Sequence, residues 1–201
     1  MEELTRVRIL QVFDNLETEA KIVQLTADIA EKLIDDIWWS GGQISDASIK
    51  EADSHWRWKR IVERNENDVL SESVAILSQE GYVEGAMTFK FNAISKLEEN
   101  EGSVYVEWLA SAPRNRNWLT TRPKYQGIGT VLLSWAVRQS YLAGLGGRIS
   151  LQSLPTQNTL KFYITKGLIR TDLTQPSTGL IDFELPTSAA IEWLRKEGDL
   201  P

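Results

Sequence analysis

The chain has 201 residues, 42% hydrophobic and 25% charged, the balance of a globular protein and not of a fibrous or disordered one. It has no Cys and one His, which excludes disulfides, thiolate nucleophiles and metal sites built from Cys or clustered His, so no metal is expected. No apolar run approaches the roughly 18 residues of a membrane span, and the start MEELTRVRIL is too charged for a signal peptide, so no membrane role and a cytoplasmic location are expected. The net charge of -6 is uneven: residues 1–70 hold nine Lys/Arg against fifteen Asp/Glu, and the remainder is balanced. Within that balanced part, residues 113–124 (PRNRNWLTTRPK) carry Arg114, Arg116, Arg122 and Lys124 without an acid, which suggests a local anion site.

In chain order, the alternation of Val7, Ile9 and Val12 predicts a strand over 5–13. Ile22, Leu25, Ile29, Leu33 and Ile37 recur at spacings of three and four, predicting a helix over 19–39 that Gly41-Gly42 stops. A second helix is expected near 46–64. Strand-like runs follow at 69–79 and 82–91, joined by Gln79-Glu80-Gly81, and a third at 103–112 places Val104, Val106 and Trp108 on one face and Tyr105, Glu107 and Leu109 on the other. A helix over 127–143 closes at Gly144, Gly146 and Gly147. Then come a strand at 148–154, a helix at 156–168 with Thr156 as N-cap, a strand at 180–185 and a helix at 187–197. No internal repeat or linker interrupts this order, so the chain is expected to be one domain over 1–201. The implied class is α/β, a mixed, largely antiparallel central sheet of about six to seven strands with helices on both faces.

The sharpest local signal is Lys124-Tyr125-Gln126-Gly127-Ile128-Gly129-Thr130, between a strand with its loop and a long helix. Glycines there let backbone approach a ligand, and the first N–H groups of the helix stay free for a phosphate at the positive end of the helix dipole. Arg122 and Lys124 add charge. A dinucleotide fingerprint would need its third glycine at Leu132 and an acid about 20 residues on, and neither is present.

The run PKYQGIGTVLLSWAVRQSYLAGLGGRISLQSLPTQNTLKFYITKGL, with Phe162-Tyr163-Ile164-Thr165-Lys166-Gly167-Leu168 near its end, resembles the acetyl-CoA-binding half of the GNAT superfamily of N-acetyltransferases. The resemblance covers about residues 103–169, and residues 1–68 match only in element order. Lys124 stands where the family usually has Gln or Arg, and Thr156 and Thr159 stand where Asn and Ala commonly precede the family's Tyr. The resemblance implies acetyl-CoA as co-substrate, with its phosphates held by Arg122, Lys124, Tyr125, Gln126, Gly127, Ile128, Gly129 and Thr130. It also implies a splay between strands 103–112 and 148–154 for the pantetheine, and backbone N–H groups near Leu109, Ala110 and Ser111 for the thioester oxygen. Glu107 lies where the family often places its base and Tyr163 where it places its acid. The bland rivals are a Glu107 paired with Arg114 or Arg116, and a Tyr163 that only packs.

The implied reaction is acetyl transfer to a primary amine, small-molecule or peptide, by direct attack in a ternary complex. The alternative is a non-catalytic acyl-CoA-binding sensor or structural protein. Asp35 and Asp36 beside Trp38 and Trp39 would suit a cationic acceptor, although packing of both Trp side chains is favoured. His55-Trp56-Arg57-Trp58-Lys59-Arg60 mixes aromatics with cations as a single-strand binder does, but the acidic surroundings disfavour nucleic acid.

Overall fold

The computed structural model describes residues 1–40, 51–174 and 178–200. Its nine strands are β1 (Glu3–Gln11), β2 (Leu16–Gln24), β3 (Ser71–Ser78), β4 (Val83–Ile94), β5 (Gly102–Ser111), β6 (Tyr125–Gln126), β7 (Ile149–Ser153), β8 (Ile169–Thr174) and β9 (Ile181–Leu185). They form one sheet in the order β6-β1-β2-β3-β4-β5-β7-β9-β8. The pairs β1–β2, β1–β6, β2–β3, β7–β9 and β8–β9 are antiparallel, and β5–β7 is parallel. The helices are α1 (Ala27–Ala30), continued by a π-helical turn over Glu31–Asp35, then α2 (Trp58–Asn65), α3 (Ile128–Leu142), α4 (Gln157–Thr165) and α5 (Thr187–Glu197). None of the helices among the described residues is long and apolar enough to cross a membrane.

The expected long helix over 19–39 is a strand followed by a short helix. Thr18, Ala20 and Ile22 alternate as one face of a strand, with Ile22 alone shared with the expected helical stripe, and Asn15 in the left-handed region (φ 54) turns the chain into a β1–β2 hairpin. The helix starts only after Thr26, whose hydroxyl accepts the Ile29 N–H. The Gly41-Gly42 stop and the first residues of the expected 46–64 helix lie outside the described residues; what is described is the shorter α2. Two further strands raise the number beyond the six to seven expected. The two-residue β6 is too short to read, and β8 (IRTDLT) begins at the half-exposed Ile169 and has little apolar alternation.

The chain divides into two compact units, Met1–Thr88 with Trp108–Leu132, and Phe89–Glu107 with Leu133–Pro201. In the first, Leu25, Ala30, Ile34, Trp38, Trp58 and Val62 belong to one buried cluster that also takes in Ala110 and Ala112. The Asp35 carboxylate accepts the first N–H groups of α2, from Trp58 (2.8 Å) and Lys59 (3.1 Å), and thereby caps that helix from a distant point in the chain. In the second unit, Ile149, Leu151, Phe183 and Leu185 bury the apolar positions of β7 and β9, and α5 contributes Ala190, Trp193 and Leu194. There the Arg148 side chain, 4% exposed, donates to Gly102 O, Glu98, Glu101 and Thr187 Oγ1.

Candidate functional site

In the first unit, the chain leaves β6 through Gly127, at φ 81, and enters α3 at Ile128. A side chain there would be strained by φ alone, since no neighbouring atom would crowd it. The first intrahelical bond is donated by Val131 to Gly127 O (2.9 Å), so the N–H groups of Ile128, Gly129 and Thr130 precede it, as the phosphate reading requires. The loop is anchored from two sides: Leu10 and Gln11 of β1 pair with Gln126 and Tyr125, and the Tyr125 N–H donates to Asn115 Oδ1 at 3.1 Å.

Most of the cationic charge of 113–124 is already matched by the protein. Arg114 forks onto Glu84, a fully buried carboxylate, while Arg116, 5% exposed, binds Asp53, Glu51 and the Ser111 carbonyl. Lys124 pairs with Glu80. Arg122 is exposed, and among the described residues its side chain forms no ion pair. The sequence therefore overstated the free positive charge of this loop. Glu84 and Asp53 had no signature that would have revealed them, since an acid facing an arginine across the fold leaves no local pattern.

Ala110 and Ile128 are brought together over Gly85, another residue the sequence did not single out. A Cβ on Gly85 would lie 2.4 Å from Ile128 Cγ2 and 3.2 Å from Ala110 O, so only glycine lets the start of α3 approach β4 this closely. The backbone of β5 also changes its hydrogen-bonding sense. Val104 N donates to Arg148 O, next to β7, whereas Ala112 N donates to Glu84 O on β4. Residues an even number apart in a regular strand face the same edge, so an irregularity falls between them. The β5–β7 register covers Val104↔Ile149 to Val106↔Leu151, so the change falls after Val106, between Glu107 and Ala112.

Both candidate catalytic side chains lie in the second unit. Tyr163, on α4, is 8% exposed and packs against Phe162 (ring centroids 5.2 Å apart) and Phe183 (5.7 Å). Burial pushes its hydroxyl up to about 12, so it stays protonated at neutral pH and retains a proton to give. The two threonines that depart from the family pattern build the start of α4: the Thr156 hydroxyl accepts the Thr159 N–H, and Thr159 Oγ1 donates to Leu154 O at 3.0 Å. Glu107 follows the paired register of β5 and lies 3.7 Å from Lys90 Nζ, not on Arg114 or Arg116 as its bland rival had it. On the same face, Tyr105 is shifted upward by burial and by the charges of Glu107 and Asp182, and Asp182 pairs with Lys96 at 2.5 Å.

The acidic, Trp-bearing segment is packed. Trp38 is 1% exposed and donates Nε1–H to Val83 O, and Asp35 is engaged by α2. Trp58 is buried, and Trp56 meets both Trp58 and Trp108 edge to face, so these rings are not splayed for bases to stack.

No protein-family model and no curated protein matches the chain by sequence. Solved structures match by shape. A mutant AtaT toxin bound to the C-terminus of the antitoxin AtaR and acetyl-CoA superposes with a TM-score of 0.57 at 19% identity, over 85% of this chain and 95% of that one. A histone acetyltransferase HPA2 and related acetyltransferase from Corynebacterium glutamicum gives 0.53 at 14% identity, over 82% and 94%. An acetyltransferase from Thermus thermophilus gives 0.52 at 14%, over 82% and 95%. The mixed nine-stranded α/β chain thus has the fold of the GNAT acetyltransferases.

Proposed function

We propose that the protein transfers an acetyl group from acetyl-CoA to a primary amine by direct attack in a ternary complex, the whole chain acting as one domain. The observation that carries this reading is the Gly127 turn into α3, whose N–H groups at Ile128, Gly129 and Thr130 have no partner among the described residues and are available to a pyrophosphate, in a fold shared with an acetyl-CoA-bound toxin. The exposed Arg122 would add a charge for the phosphates. Backbone N–H groups of Leu109–Ser111 would meet the thioester oxygen as charge builds on it. The amine nitrogen forms the new C–N bond, its proton passes to Glu107, and the C–S bond breaks with Tyr163 protonating the departing thiolate. Glu107 lies 3.7 Å from Lys90 Nζ, on the strand that leads to Leu109–Ser111.

Calorimetric titration with acetyl-CoA, followed by thiol release with a panel of primary amines, tests the reading in two stages. Saturable binding and amine-dependent thiol release are expected. No binding at high micromolar acetyl-CoA would reject it, and binding without release from any amine would replace it with a non-catalytic acyl-CoA-binding protein.

A further inference from the structure

A cavity of about 310 Å³ opens in the first unit where β1 begins, β2 ends, α2 ends and β3 begins. Leu4, Leu25 and Val74 give it an apolar side, and Asn65, Glu66 and Glu72 a polar one. Its lining holds no Lys, Arg or His. The two acids differ. Glu66 is committed, its Oε1 accepting the Ala27 N–H at 2.9 Å. Glu72 is half-buried, and among the described residues no cation pairs with it; burial alone displaces its carboxyl, upward. A desolvated carboxylate without a counter-charge is costly, and the negative end of the α2 dipole, at Asn65 and Glu66, adds to the same field. The volume falls at the lower end of the range of small-molecule sites.

We propose that this cavity is a binding site for a small alkylammonium ion, its charged head on the Glu72 carboxylate and its alkyl part against Leu4, Leu25 and Val74. It is separate from the proposed acetyl-CoA loop. β1 passes both places, with Leu4 at the cavity and Leu10 paired to Gln126, and the step of six positions from one to the other spans about 20 Å at the rise of a strand.

The probe is butylammonium chloride, titrated at neutral pH into the full chain, with 1-butanol as the uncharged control and backbone amide shifts as the readout. Saturable shifts at Leu25 and Glu72–Val74 are expected with butylammonium, at a dissociation constant of about 1–10 mM, and butanol should bind at least about tenfold more weakly. Glu72→Gln keeps the shape and removes the charge, and should weaken butylammonium about tenfold or more while acetyl-CoA binding stays within about twofold. Leu4→Lys, at a partly exposed position, sets a fixed cation at the same mouth and should have the same effect. Equal binding of butanol, unchanged binding in both variants, or no saturable shift up to about 50 mM would overturn the proposal.

Discussion

The two compact units prepare their parts of the proposed chemistry in opposite ways. In the first, two of the four cations of the loop are turned inward, Arg114 onto Glu84 and Arg116 onto Asp53, and the proposed phosphate contacts are backbone at Ile128, Gly129 and Thr130. In the second, the proposed acid is a side chain, Tyr163, whose protonation is held by burial beside two aromatic rings. A count of cations in a loop therefore says little about its field, because buried carboxylates elsewhere cancel it.

The largest expected effect comes from removing the inward charge pairing. Arg116→Met leaves the buried Asp53 carboxylate and the Ser111 carbonyl without their donor, and should cost about 3–5 kcal/mol, a fall in melting temperature of about 10 °C. Calorimetric melting checks it, and a loss below about 1 kcal/mol would show that the pair is not desolvated. Tyr163→Phe should lower kcat about 100-fold or more with acetyl-CoA affinity kept. Unchanged turnover would remove Tyr163 from the mechanism. With the hydroxyl pushed up to about 12, its deprotonation should produce no alkaline fall in kcat below about pH 11.

Gly85→Ala is expected to act through packing, at about 1–3 kcal/mol, and to weaken acetyl-CoA because Ile128 and Ala110 must both move. If affinity is unchanged, the close approach of α3 to β4 does not set the loop. The smallest effect belongs to Lys124→Gln, whose charge Glu80 already matches: acetyl-CoA affinity should change less than about threefold. A tenfold loss would mean that Lys124 leaves Glu80 for the phosphate, and the contrast between backbone and side chain would fail for the first unit.

What was legible in the sequence follows the same division. From β5 to α5 the periodicities are strong, and glycines close α3 and α4, so the strands and helices of that stretch were placed closely, β6 and β8 excepted. The hairpin of β1 and β2 was hidden because Ile22, which ends the strand alternation of Thr18 and Ala20, also starts the helical spacing of Leu25 and Ile29, and the deciding residue was Asn15 in its turn. In the candidate site, Gly127 and Tyr163 stood out in the sequence because each sits in a short motif with a particular residue type. The pairing of Arg116 with Asp53, and Glu84 and Gly85 altogether, left no such sign, since their importance comes from partners tens of residues away.

The Arg116 guanidinium joins the Glu51–Asp53 segment, the end of β5 and its own loop in a single knot of bonds. Pieces tied in this way should open together, so the first unit gains a cooperative block in which the stretch ahead of α2 and the end of β5 share one opening free energy. Amide hydrogens around Asp53 and Ala112 would then exchange at a common rate, although 59 positions separate them in the chain.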